Sequence, residues 1–397
     1  MTVTGVAGFK AIGIHGGIKP EGKLDLTYIG SLDNKPVMAA GVFTSNKLCA
    51  APVTLTREHL AKSGGNLVGV IINSGNANAA TGETGYINAS KMAKAVSSTL
   101  NIDVSQVGVC STGLIGYQLP IENIVNSIPQ AIKESSVDGG ELASKAIMTT
   151  DTLEKTFLKK YTDKNGTEFT LGAIAKGAAM LQPNMATMLG FITTDASVKL
   201  SDLQSSLSSA VGRSFNKLTV DGAQSTNDTV LVFSSAKTDE INIDDFADAM
   251  LEVCQSLAKQ MCDDAEGSTH TVCINIIGSK NDDEANHGAR RVANCQLVKC
   301  SWFGNDPYWG RVASELGASS IDYDFTKLSI SYGDHIVLKN GESIIDNYSD
   351  EQREKIREYM KNREIVLNVD LGVGYGTGWI WTNDLTFGYI EENMGTS

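Results

Sequence analysis

The 397-residue chain contains no apolar run long enough to cross a bilayer: stretches such as Leu67 to Ile72 fall far short of the ~20 residues a spanning helix needs. That excludes a helical membrane protein. Residues 1 to 10 have no basic segment leading into an apolar core, so no secretory signal is expected there. Lys/Arg blocks are missing, and 33 basic against 46 acidic residues leave a net charge of −13, which argues against a nucleic-acid surface. The seven cysteines form no C-x-x-C pair, which points to reduced thiols and a cytoplasmic setting. Five scattered histidines lack the H-x-x-H or H-E-x-x-H spacing of a metal centre, so no metal is expected. Internal repeats, low-complexity tracts and Pro-rich linkers are also lacking.

A chain 42% apolar and 20% charged is an ordinary globular sequence, long enough for two or three domains. Short apolar strands punctuated by Gly/Asn turns fill its first half. Leu67 to Ile72 leads into Asn73-Ser-Gly-Asn-Ala-Asn78, and Val107 to Cys110 leads into Ser111-Thr-Gly113. A helix is expected after the first, with Ile87, Met92 and Val96 on one face. Asn165-Gly166 predicts a hairpin over Phe157 to Ala175.

Beyond residue 187 the pattern becomes strand, helix, strand, strand, helix. Ser201-Asp-Leu-Gln204 has the form of a capping box ahead of a face made by Leu203, Leu207 and Val211. Leu218 to Asp221 and Thr229 to Phe233 read as strands. Phe246, Met250, Val253, Leu257 and Met261 fall at helical spacing behind Asp244, a plausible N-cap. A polar shift at Gly278 to Gly288 marks a boundary before a small α+β unit, about 285–397. That unit is expected to hold a hairpin turning at Gly333-Asp334, a helix capped by Ser349, and strands at Ile365 to Val369 and Trp379 to Trp381.

The segment Lys176-Gly-Ala-Ala-Met-Leu-Gln-Pro-Asn-Met-Ala-Thr-Met-Leu189 stands out. A cut after Ala186 would make Thr187 a new N-terminus, and a free α-amine on the same residue supplies the base that a threonine hydroxyl needs as a nucleophile. On propensity alone, a Thr entering an apolar run is an ordinary strand residue. Other elements are equally double-faced. Ser111-Thr-Gly113 is an ordinary turn or an oxyanion site, Lys176 a solvated lysine or a pocket charge, and Glu266 in an acidic turn a solvated carboxylate or the partner of a cationic substrate amine.

The Pro183 to Leu189 core, Ser111-Thr-Gly-Leu-Ile-Gly116, Met148-Thr-Thr-Asp-Thr152, the Glu266 turn, Phe303-Gly-Asn-Asp-Pro-Tyr-Trp-Gly-Arg311 and the tail around Asn393 together resemble the ornithine acetyltransferase (glutamate N-acetyltransferase) family. Ala265 and Tyr308 depart from its usual Gly and Asn. The resemblance implies a layered α/β/α fold and self-cleavage into an α chain, 1–186, and a β chain, 187–397, assembled as α2β2. It implies Thr187 as nucleophile, Thr112 and Gly113 as oxyanion hole, and Ala186 as the cleavage site. Thr150, Lys176, Thr187, Glu266, Asn393 and the C-terminal Ser397 would bind substrate. Because the tail is one residue short of the usual form, Thr396 competes with Ser397 for that last contact. Acetyl transfer from N2-acetyl-L-ornithine to L-glutamate needs no cofactor, and acetyl-CoA is a second candidate donor. Two other readings use the same residues: an N-terminal-nucleophile amidohydrolase or aminopeptidase, and an unprocessed non-catalytic paralogue.

Overall fold

A computed structural model describes residues 2–182 and 188–395. The chain divides into two compact units, one formed by 1–216 with 223–261, the other by 217–222 with 262–397. The expected cleavage site, Ala186 and Thr187, lies outside the described residues, as do Thr396 and Ser397.

In the first unit the strands are β1 (Phe9–Ile14), β2 (Leu26–Ser31), β3 (Val37–Phe43), β4 (Asn66–Leu67), β5 (Gly69–Asn76), β6 (Val107–Leu114), β7 (Lys155–Thr162), β8 (Glu168–Lys176), β9 (Leu189–Thr194) and β10 (Thr229–Ser234). They make a four-stranded sheet, β1-β2-β5-β6, and a six-stranded sheet, β4-β3-β10-β9-β8-β7. Side chains of both sheets meet in one core: Phe9, Ile29, Val70 and Ile72 from the first, Ile174, Leu189, Phe191 and Leu231 from the second. The β layer is therefore double. Being covered on both sides is why β9 and β10 read as near-continuous buried runs rather than alternating ones.

Helices α1 (Ala51–Lys62), α2 (Gly82–Leu100) and α3 (Ile121–Glu134) close the outer face of the four-stranded sheet, where Leu55, Met92, Val96, Ile124 and Ile128 pack on Tyr28, Ile71 and Val109. The short α4 (Gly140–Ile147) adds Ala143 and Ile147 to the core between the sheets. On the six-stranded sheet lie α5 (Leu200–Gly212), on β3, and α6 (Ile243–Asp263), whose Phe246 ring stands 5.9 Å from Phe169 of β8. The layered α/β class expected from the sequence holds.

The second unit is one six-stranded sheet, β14-β13-β12-β15-β11-β16. Its strands are β11 (Thr271–Ser279), β12 (Ser329–Tyr332), β13 (His335–Lys339), β14 (Glu342–Ser343), β15 (Glu364–Asp370) and β16 (Gly376–Asn383). Helices α7 (Asp282–Asn294), α8 (Gln296–Phe303), α9 (Trp309–Gly317), α10 (Asp350–Met360) and α11 (Phe387–Glu392) complete it. Val272, Ile274 and Ile276 of β11 and Leu367 of β15 pack with Val292, Trp302 and Leu316. The polar stretch at Gly278 to Gly288 is the turn from β11 into α7, inside this unit.

Both predicted hairpins form: β7 pairs with β8 around Gly166, and β12 with β13 around Gly333. Four local expectations fail. Ile87 is 48% exposed, and the buried face of α2 runs instead through Gly85, Asn88, Ala89, Met92, Ala93 and Val96. Ser201 does not cap α5, which starts at Leu200 from Lys199 with no side-chain cap. Gln204, the supposed partner in that box, exchanges two hydrogen bonds with the Gly41 backbone of β3 at 3.2 and 3.3 Å. Leu218 to Asp221 is no strand; a single bridge, Leu218 to Trp381, fixes it. At the start of α6 it is Asn242 that accepts from the Asp245 amide, at 3.2 Å, while Asp244 lies inside the first turn.

Ser349 does cap α10 in a full capping box with Gln352. Ser349→Ala is therefore expected to cost about 1 kcal/mol of stability, whereas Ser201→Ala, which removes no cap, should stay within about 0.5 kcal/mol of the parent. Urea unfolding of the two variants checks the contrast; equal losses would contradict it.

Candidate active site

In the first unit Thr112, Gly113 and Lys176 sit at strand ends and Thr150 on the turn ahead of β7. Thr112 and Gly113 are the penultimate pair of β6 and run alongside Ser74 and Gly75 of β5, where the register slips. Gly113 has φ +131°, and a Cβ there would lie 2.2 Å from the carbonyl carbon of Gly75, so only glycine permits this approach. Thr112 is buried, while Gly113 reaches the surface. The strand end is held from both sides: the Ser111 hydroxyl donates to Asn73 Oδ1 at 2.6 Å, and Asn227 Nδ2 donates to the carbonyls of Ser111 at 2.9 Å and Ala77 at 2.6 Å. Backbone groups fixed in this way are what an oxyanion site requires.

Lys176 ends β8 and is 3% exposed. Its ammonium donates to Thr149 Oγ1 at 2.6 Å and stands 3.8 Å from Asp151 Oδ2. Asp151 also takes Lys155 Nζ at 2.6 Å and the amides of Gly177 at 2.7 Å and Thr149 at 3.0 Å. Burial alone would push the Asp151 carboxyl up. The charges of Lys176 and Lys155 and the bonds from Lys155 and Thr149 outweigh it and bring the carboxyl down to about 2. Thr150 lies between Thr149 and Asp151 on the same turn, half-buried. Reasoning from the sequence selected Thr150 and Lys176 and missed Asp151 and Lys155; the Thr-Thr-Asp-Thr string carries the signal, but only folding shows that the aspartate turns inward.

Nearby, Lys19 donates to the Met148 carbonyl at 2.7 Å. Burial is the main cause that lowers its ammonium to about 8, with Lys176 pushing the same way and Asp25 and Asp151 opposing.

In the second unit Asn393 and Glu266, both expected from the family resemblance, are in contact: Asn393 Nδ2 donates to Glu266 Oε2 at 2.7 Å. Glu266 lines a cavity of about 110 Å³ with Asp221, Lys299, Asn383, Asp384 and Tyr389. Lys299 is buried and donates to Thr382 Oγ1 at 2.9 Å; burial brings its ammonium down to about 8, against the pull of Cys262, Asp384 and Asp221. His270 Nδ1 meets Asp384 Oδ2 at 3.0 Å. Sequence reasoning found none of these last groups. A larger cavity of about 330 Å³, bounded by Asn275, Ile277, Ser331, Ile336 and Asp370, contains none of the predicted residues.

The first unit thus sets two buried lysines against one carboxylate beside the end of β8. A family model described as the ArgJ family matches residues 10–395. The chain belongs to the ArgJ family. It is 41% identical to the arginine biosynthesis bifunctional protein ArgJ of Chlorobaculum tepidum, over 97% of this chain and 95% of that protein. With the Streptomyces avermitilis protein of the same name the identity is 39% over the full length of both. A crystal structure of the Mycobacterium tuberculosis ornithine acetyltransferase complexed with ornithine is 36% identical over 47% of this chain and 95% of that one, with a TM-score of 0.42.

Asp151→Asn keeps a hydrogen-bond acceptor but removes the negative charge that faces two buried ammonium groups, and should cost about 3–5 kcal/mol near pH 7. A carboxylate with a depressed pKa stabilises the fold above its unfolded value, ~3.9, and that contribution is lost as pH falls toward about 2. Urea unfolding at several pH values should show the gap between parent and variant closing over that window; a gap unchanged with pH would contradict the assignment.

Proposed function

We propose that the chain transfers the acetyl group of N2-acetyl-L-ornithine to L-glutamate through an acetyl-threonine intermediate, after cutting itself between Ala186 and Thr187. One observation carries the reading. The family match runs the length of the chain and takes in the Pro-Asn-Met-Ala-Thr-Met-Leu core, and the relatives matched over their full length are named arginine biosynthesis bifunctional proteins.

Thr187 Oγ attacks the acetyl carbonyl carbon, and its proton passes to the α-amine of Thr187. The oxyanion is held at Thr112 and Gly113, the C–N bond breaks, and ornithine leaves as the amine with that proton. Glutamate's amine then attacks the acetyl ester, giving N-acetylglutamate and restoring the Thr187 hydroxyl. Thr150 and Lys176 bind substrate, with Lys176 placing a buried cation that suits a carboxylate. Glu266 and Asn393 bind the substrate's far end, Glu266 facing the ornithine side-chain ammonium. Ser397, or Thr396 in its place, supplies the last contact from the tail.

The α chain comprises 1–186 and the β chain 187–397, assembled as α2β2 in the cytoplasm. Among the described residues no helix is long and apolar enough to cross a membrane. Acetyl-CoA serves as a second acetyl donor, in keeping with the word bifunctional in the relatives' names.

Thr187→Ala is expected to give one chain near 42.3 kDa with no acetyl exchange, where the parent gives two. Denaturing electrophoresis reads the first result and transfer of label from N-acetylornithine to glutamate the second. A variant that still splits would refute the nucleophile assignment. Release of free acetate without a glutamate requirement would instead favour an amidohydrolase.

A further inference from the structure

Lys19 is a half-buried cation beside the candidate oxyanion strand, with no part in the transfer described above. Its backbone is fixed by Asp25, a fully buried carboxylate whose Oδ2 accepts the amides of Ile18 at 2.7 Å and Lys19 at 2.8 Å. The Ser74 amide donates to the Asp25 carbonyl at 2.9 Å, which ties this loop to β5 next to Gly75. From the loop the Lys19 stem runs across Gly75, where a Cβ would stand 3.1 Å from Lys19 Cγ and 3.7 Å from Cε. Gly75 is the register partner of Gly113. The stem therefore lies one strand away from the candidate oxyanion donors.

The Lys19 ammonium ends at the Met148-Thr-Thr turn. It donates to the Met148 carbonyl at 2.7 Å and to the Leu24 carbonyl at 3.1 Å, and it makes no ion pair among the described residues. Lys176 donates to the hydroxyl of the next residue, Thr149, so the two ammonium groups grip consecutive residues. Burial, with Lys176 and Lys23 pushing the same way, brings the Lys19 ammonium down to about 8 against the pull of Asp25 and Asp151. That is a cation short of an anion. Both amino acids of the proposed transfer bring one, a carboxylate on the carbon next to the reacting nitrogen, and it must lie close to the oxyanion strand when the acetyl carbonyl is held there.

We propose that Lys19, beside Lys176, binds this α-carboxylate and so makes the enzyme demand an α-amino acid on both sides of the transfer. The inference rests on the acetyl-transfer reading above. N-acetylputrescine, which is N2-acetylornithine without its carboxylate, supplies the test. The kcat/KM for acetyl transfer to glutamate is measured with each donor, and the parent should favour N2-acetylornithine. Lys19→Met keeps an apolar stem without the charge, and should lower that preference at least about 10-fold, the lower end for a hydrogen bond to a charged group. Lys19→Gln, which still offers a donor to the Met148 carbonyl, should lower it as far and serves where the Met variant fails to fold. A preference within about threefold of the parent's, with both donors slowed alike, would make Lys19 a support for the Met148 turn and overturn the assignment. A parent that uses the two donors equally overturns it without any variant. A parent that moves no acetyl group from N2-acetylornithine to glutamate fails the transfer reading, and the inference with it. If the parent transfers and discriminates while the variants keep its preference, only the role of Lys19 fails.

Discussion

The buried carboxylate of Asp151 is the constraint on which the first unit's candidate site depends. Three elements converge on it: its own turn through the Thr149 amide, the start of β7 through Lys155, and the end of β8 through Lys176 and the Gly177 amide. Two buried ammonium groups face this one carboxylate, which offsets part of the cost of taking them out of water. The arrangement holds the Lys176 side chain against Asp151 and Thr149 with little access to water. It also fixes the strand end from which the chain enters the segment ahead of Thr187. Position and charge at that point have a common cause.

A second convergence lies where β5 and β6 finish and β10 begins. Gly113 lets two backbones approach more closely than any side chain would permit, and Asn227 ties the end of β6 to the loop that starts β10. The next residue, Asp228, holds the amide of Met188. The candidate oxyanion strand and the first described residue of the proposed β chain are thus both secured by neighbours in one short stretch, Ser225 to Thr229. Packing of the two sheets against each other supplies the dry surroundings in which such bonds count for more than they do in water.

Much of this was legible in the sequence where one local signal dominates. Asn165-Gly166 and Gly333-Asp334 announced their hairpins, and Ser349 with Gln352 announced a capped helix. Identical chemistry at Ser201 and Gln204 misled, because Gln204 pairs with the backbone of β3, 163 residues away in sequence. Ile87 failed because a helix's buried face is chosen by what the helix packs on, and Asp244 because Asn242, two residues earlier, is the local cap. Glu266 and Asn393 were chosen by resemblance and are in hydrogen-bond contact, whereas Asp151, Lys155, Asn227 and Asp228 passed unnoticed. Aspartates and lysines in turns are ordinarily solvated, so nothing local marks the few that point inward.

The sequence by itself determined the layered α/β class, most of the strands and hairpins, and membership of the ArgJ family. Those features follow from short-range periodicity, turn residues and contiguous motifs, which survive without any knowledge of distant neighbours. Only the tertiary structure decided which polar groups lose their water. Why the Asp151 carboxyl is held down while that of Asp228 is pushed up depends on burial and on partners far away along the chain. The energy of a charge is set by that surrounding medium rather than by the residue's own identity.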